Sequence, residues 1–184
     1  MEEKKRPVGI SILAVLNIVG GVLGAIVGIF LVIQLGKNPE VQQGLAMIGL
    51  PPALLKVAYF LIFGLAIASG IGMWKGRKWG WYLGSFSYMY SIVRNANALV
   101  TLPLLMNSIP PEDLANMDRD PSYYYVKHGS RVIVSFLVYL YFFKGNVREF
   151  FSLTEQKKWK PILAEIGICI GIAAVVSMIA GVMN

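Results

Sequence analysis

PVGISILAVLNIVGGVLGAIVGIFLVIQLG, residues 7–36, runs for thirty positions without a charged side chain. About 20 apolar helical residues are enough to cross the hydrocarbon core of a bilayer. A lipid interior offers the backbone no water, so such a stretch is expected to cross as a helix that satisfies its own N–H and C=O groups. Weaker copies of the pattern recur four times downstream, and the spans are expected at 8–35, 54–74, 79–106, 123–143 and 161–183. The fold class this implies is all-α: an integral membrane helical bundle of five transmembrane helices, or four if 123–143 does not cross. In that stretch only Val132–Phe143 is uncharged and apolar, and Lys127, His128 and Arg131 would have to lie in its outer third. The loops that remain are too short for a separate soluble unit, so residues 1–184 are expected to form a single transmembrane domain.

The composition agrees with commitment to lipid. The 184 residues are 56% hydrophobic and 15% charged, against roughly 25% charged in soluble domains. A net charge of +7 would suggest nucleic acid in a soluble protein. Here the basic residues cluster at the ends of apolar runs, which fits membrane orientation and anionic headgroups at the inner face, with no nucleic-acid partner. Cys169 is the one cysteine, so no intramolecular disulfide is possible. The segment MEEKKR ahead of the first run has a signal peptide's basic flank, but the run is too long for a signal core and lacks a clean cleavage site, so a retained signal anchor is expected.

With the N-terminus cytoplasmic, eleven of the seventeen basic residues fall inside: Lys4, Lys5, Arg6, Lys75, Arg77, Lys78, Lys144, Arg148, Lys157, Lys158 and Lys160. That is the positive-inside bias expected of a plasma-membrane protein. Trp74, Trp79, Trp81 and Trp159 would mark the inner interface and Tyr123, Tyr124 and Tyr125 the outer one. Asn146-Val-Arg-Glu149 has the form of a helix start, with Val147, Phe150, Phe151 and Leu153 set among cations. A short interfacial amphipathic helix is expected near 147–157. Outside, Ser108 and Pro110-Pro-Glu-Asp113 read as a helical turn that Asp118-Arg-Asp-Pro121 ends.

Two constellations could carry function. Gly20, Gly24 and Gly28 stack at four-residue spacing beside Gly21 and Ala25, and Gly167 and Gly171 repeat the device in the fifth span with Ala173, Ser177 and Gly181. Such faces let another backbone approach closely, within the chain, in a homo-oligomer or in a membrane protein partner. The second is polar. Ser87, Tyr90, Arg94, Asn97 and Thr101 share one face of the third span, and His128, Arg131 and Ser135 share one face of the fourth at similar depth. If the two faces met they would form an outward-facing electropositive pocket or an ion pathway. The plainer alternative is that Arg94 reaches the outer interface or pairs with Asp113, Asp118 or Asp120.

Catalytic chemistry finds little to stand on. One histidine and one cysteine at different depths cannot build a zinc site, and the chain has no Gly-x-Ser-x-Gly elbow, phosphate-binding loop or His-Glu-x-x-His motif. Asp118-x-Asp120 lacks the remaining ligands of a calcium loop. Glu165, in the first turn of the fifth span, is expected to pair with Lys160. No cofactor, no metal and no enzymatic activity are expected.

RPVGISILAVLNIVGG at the N-terminus and GIGMWKGRKWGWYLG between the second and third spans resemble small, largely uncharacterised prokaryotic polytopic membrane proteins. These begin with Arg-Pro and a glycine-hydroxyl pair and carry a Gly-x-x-Lys-Gly-x-x-Trp-x-Trp inner turn. The matching positions are Arg6, Pro7, Gly9 and Ser11, then Gly72, Lys75, Gly76, Trp79 and Trp81. The resemblance implies a multi-pass plasma-membrane protein of four or five helices and brings no activity with it. The function expected is therefore that of a structural, accessory or assembly subunit packing through glycine faces; the alternative is a small transporter or channel using Ser87, Tyr90, Arg94, Asn97, His128 and Arg131.

Overall fold

A computed structural model describes residues 5–38, 52–108 and 120–182, and they are all-α. Six helices occur among them: α1 Val8–Lys37, α2 Pro52–Trp74, α3 Lys78–Ser108, α4 Pro121–Phe142, α5 Gly145–Phe150 and α6 Trp159–Val182. The five long helices lie within two residues of the expected stretches at each end, because an apolar run and its flanking turn signals set a helix's length. By length and composition one described stretch, Val8–Gln34 of α1, is long and apolar enough to cross a membrane; Tyr59–Trp74 of α2 is shorter. The acidic turn expected at 110–118 lies outside the described residues.

Contacts divide the chain into two compact units, Met1–Gly84 with Gly145–Asn184, and Ser85–Lys144, the boundary falling inside α3. The first unit is organised by the antiparallel pair of α1 and α2. A Cβ added to Gly21 would lie 2.6 Å from Ile67 Cγ1 and 3.1 Å from the Phe63 carbonyl oxygen, and one on Gly24 would overlap the Phe63 ring. Gly28 meets Tyr59, and from the other side a Cβ on Gly70 would lie 2.7 Å from the Ala14 carbonyl oxygen. The seam thus sets Gly21, Gly24 and Gly28 of α1 against Ile67, Phe63 and Tyr59 of α2, and Gly70 of α2 against Ala14 and Ile18 of α1, with the partner's backbone in close approach at Gly21 and Gly70. Gly20, expected in this seam, has nothing within 4 Å. One position is about 100° on a helix, and that turns it away from α2.

α2 ends in a Schellman motif. The Arg77 N–H donates to the Gly72 carbonyl and the Gly76 N–H to that of Met73, with Gly76 at φ +63°. Gly76 supplies the left-handed backbone that other residues adopt only with strain. The reversal is tight: a Cβ on Gly72 would sit 2.6 Å from the Gly80 Cα. Three of the four tryptophans are exposed, but Trp81 is 1% exposed and fills the core of this end with Ile10, Met73, Val147 and Phe151. It is a packing residue.

The segment after α4 also differs from expectation. Its helix covers only Gly145–Phe150, with Asn146 inside it, and residues 151–158 form turns rather than continuing an amphipathic helix to 157. A second Schellman pattern stops it, with Leu153 N–H bonded to the Arg148 carbonyl and Ser152 at φ +55°. Arg148 is 9% exposed and its Nη2 donates to the Leu153 carbonyl at 2.7 Å and to that of Gln156. The Tyr82 hydroxyl donates to Gln156 Oε1 at 2.8 Å. A cation that closes the chain on itself in this way is drawn inward by backbone acceptors, which the pattern of charges along the sequence does not reveal.

α6 buries a narrow stripe, Pro161, Glu165 and Cys169, at four-residue spacing. Lys160 is exposed and makes no ion pair with Glu165, whose side chain is turned into the core. α4 begins at Asp120, whose Oδ1 accepts from the Ser122 N–H at 2.8 Å, with Pro121 in the first turn.

Two measurements test this account. Gly21→Val and Gly70→Val should lower stability by about 1–3 kcal/mol in thermal unfolding, the usual cost of overpacking, while Gly20→Val should leave it nearly unchanged. The Asp120 carboxyl is held below its ordinary pKa by hydrogen bonds from the Ser122 side chain and backbone N–H. A folded-state pKa lower than the unfolded one stabilises fully above the unfolded value and is lost as pH falls through the folded value. Wild-type melting should therefore decline below about pH 4 more steeply than that of Asp120→Ala.

Candidate functional site

The polar residues of the second unit converge on one hydrogen-bonded chain between α3 and α4. His128 Nδ1 lies 2.8 Å from Asn95 Oδ1, and Asn95 Nδ2 donates to the Ser91 carbonyl at 2.7 Å. Because the Asn95 amide nitrogen is donating, its oxygen accepts and His128 Nδ1 carries the hydrogen. Asn95 Nδ2 also lies 3.4 Å from Ser91 Oγ, which is 2.9 Å from Ser135 Oγ. Asn95 is 1% exposed and Ser135 7%. Below this chain Tyr88 packs on Phe142, with ring centroids 5.9 Å apart, so the two helices are antiparallel and matched in register. A buried amide with every strong partner supplied joins two helices and fixes which faces meet.

The expected stripe lies on another side of α3. Ser87, Tyr90, Arg94, Asn97 and Thr101 are all exposed, and Tyr90 stacks on Phe86 of its own helix. Thr101 Oγ1 turns back to the carbonyls of Asn97 and Ala98, at 3.0 and 3.3 Å. On α4, His128 and Ser135 turn toward α3 while Arg131 is exposed. His128 therefore meets Asn95 and not the Arg94 face. Among the described residues neither Arg94 nor Arg131 has a hydrogen-bond or ion-pair partner. Asn95 and Ser91 were not singled out from the sequence, although their four-residue spacing and the seven-residue spacing of His128 and Ser135 are the signal. Arg94, as the more conspicuous residue, drew the assignment one position too early.

A second polar locus lies in the first unit, at the N-terminal end of α1. The Arg6 guanidinium carbon sits 4.1 Å from the Trp74 ring centroid, a stacked geometry suited to arginine. Arg6 Nε is buried with no hydrogen-bond partner. Beside it opens a cleft of about 430 Å³ lined by Lys5, Arg6, Pro7, Val8, Asn146, Glu149 and Phe150. Phe150 also covers Gly76, whose added Cβ would lie 2.9 Å from the ring.

The glycines of α6 are placed differently from those of α1. Gly167 and Gly171, like Gly20, have nothing within 4 Å among the described residues. Among the described residues no three His, Cys, Asp or Glu side chains come together as metal ligands.

A double-mutant cycle distinguishes the two polar faces. Asn95→Ala with His128→Ala should show a coupling of about 1 kcal/mol in unfolding free energy. Arg94→Leu with His128→Ala should be additive. No family model matches the chain, and no curated protein or solved structure is similar to it.

Proposed function

We propose that the chain is a multi-pass integral membrane protein of a prokaryotic plasma membrane, a five-helix bundle that acts without catalysis as a structural or assembly subunit. The observation that carries this reading is where the large apolar side chains lie. Phe30, Val100, Leu104, Val126 and Ile170 are 64–71% exposed, and α1, α2, α4 and α6 each present isoleucine, leucine, valine or phenylalanine outward along their length. In water, contiguous apolar surface of this extent would drive association or aggregation. In lipid it is the ordinary outer surface of a bundle, and the polar groups belong inside, where Ser69, Ser85, Asn95, Ser135 and Glu165 are buried.

The assembly role rests on glycines left open. Gly21, Gly24, Gly28 and Gly70 are occupied within the α1–α2 pair, whereas Gly20, Gly167 and Gly171 offer close-approach positions that nothing among the described residues fills. Another helix, from a second copy or from a different membrane protein, would gain dispersion contacts there. The transporter reading draws less support: its pocket needs His128 beside Arg94, and His128 is committed to Asn95.

Alkaline extraction of membranes tests the first part. The protein should stay in the pellet, and reporters at the Gly76 turn and at Asn38 should map to opposite faces; release into the wash, or both reporters on one face, overturns it. For the second part, Gly167→Leu with Gly171→Leu should shift the native complex to a smaller mass without lowering the melting temperature of the chain. An unchanged mass rules out assembly through α6.

A further inference from the structure

We propose that the cleft at the start of α1 is a phospholipid headgroup site that takes a phosphodiester, with Arg6 and Lys5 as its cationic ligands. This deepens the membrane reading above and rests on it for the source of the ligand.

Arg6 is held in place before any ligand arrives. Its guanidinium lies on Trp74, its Nε is buried and unpartnered, and no carboxylate engages it among the described residues. A fixed planar fork loses little side-chain freedom on binding and matches two oxygens of a phosphate at once. Lys5 lines the same cleft and also lacks an ion-pair partner among the described residues. The backbone adds to this. The first helical hydrogen bonds of α1 are those from the Ile10 and Ser11 N–H groups to the Pro7 carbonyl, and Pro7 offers no side-chain cap. The N–H groups of the opening turn therefore bring the positive end of a thirty-residue helix to the cleft.

The remaining lining selects among phosphates. Among the described lining residues, two cations less the Glu149 carboxylate leave one net positive charge. That complements a phosphodiester, which carries one negative charge, better than a phosphomonoester or free phosphate, which carries nearly two near neutral pH. Pro7, Val8 and Phe150 form apolar walls, and Val8 is 75% exposed, so the glycerol and acyl portions of a lipid would continue along α1. A soluble phosphate would leave those walls bare. The exposed Trp74 and Trp79 at the same end are the aromatic side chains favoured at headgroup depth.

The test uses the full chain purified in detergent and in phosphatidylglycerol nanodiscs. Native mass spectrometry should find one phospholipid retained per chain after delipidation. Lys5→Ala with Arg6→Ala should reduce its occupancy roughly tenfold, and Lys37→Ala, a basic residue at the other end of α1, should not. Arg6→Lys should fall between, since it keeps charge but loses the fork and the stack. Glu149→Gln should gain affinity for phosphatidic acid relative to phosphatidylglycerol. If the double variant fails to fold, judged by circular dichroism, the Arg6→Lys and Glu149→Gln shifts decide the matter. Unchanged retention in folded variants overturns the proposal, as does displacement of the lipid by inorganic phosphate as readily as by glycerophosphoglycerol. The last arm separates the two readings: Arg6-dependent binding of water-soluble glycerophosphoglycerol would support the cleft even if alkaline extraction released the protein.

Discussion

The close approach of α1 and α2 is the constraint on which the first unit depends. At Gly21 and Gly70 the partner helix's backbone, and at Gly24 and Gly28 the Phe63 and Tyr59 rings, fill the space where the glycine has no Cβ. This fixes the register, and with it the end of α2. Trp74 arrives under Arg6, Gly76 reverses the chain at φ +63°, and the Gly72–Gly80 contact brings in the first turn of α3 with the buried Trp81. α5 then closes over the reversal through Phe150, and Tyr82 ties down Gln156. Close packing of this kind supplies dispersion contacts along the seam.

Buried polar groups separate into two kinds. Arg148 and Asn95 are engaged: the arginine donates through Nη2 to two backbone carbonyls, and the amide uses both ends, one toward His128 and one toward Ser91. They act as specificity devices, since in an apolar interior a wrong register would strand each of them. Arg6 Nε, Asn17 Nδ2 and Ser69 Oγ are buried without partners. Of these residues, Arg6 also lines a cleft, beside a second cation, Lys5.

Much of the architecture was legible from residue order. Among the described residues, the five long helices, their limits to within two residues, and a glycine seam on α1 all follow from apolar runs and small-residue spacing. At single-residue scale the structure departs from the pattern. Gly21 packs where Gly20 is expected, and Asn95 is buried where Arg94 is expected. Neighbouring positions on a helix differ by about 100°, and only the partner helix says which direction is inward. The segment 145–158 was misjudged for a different reason. Its turns are stabilised by Arg148 reaching backbone carbonyls, and carbonyls are invisible to residue-type patterns.

By itself, then, the sequence determined long helices carrying long apolar segments, because an apolar run and its flanking turn signals set a helix's extent. Tertiary structure alone decided which glycines touch, that His128 belongs to Asn95, that Trp81 and Arg148 are inside, and that Lys5 and Arg6 line a cleft with Glu149. The physical reason is that length and periodicity are properties of one helix, whereas contact depends on the register of two, and register is set by backbone proximity.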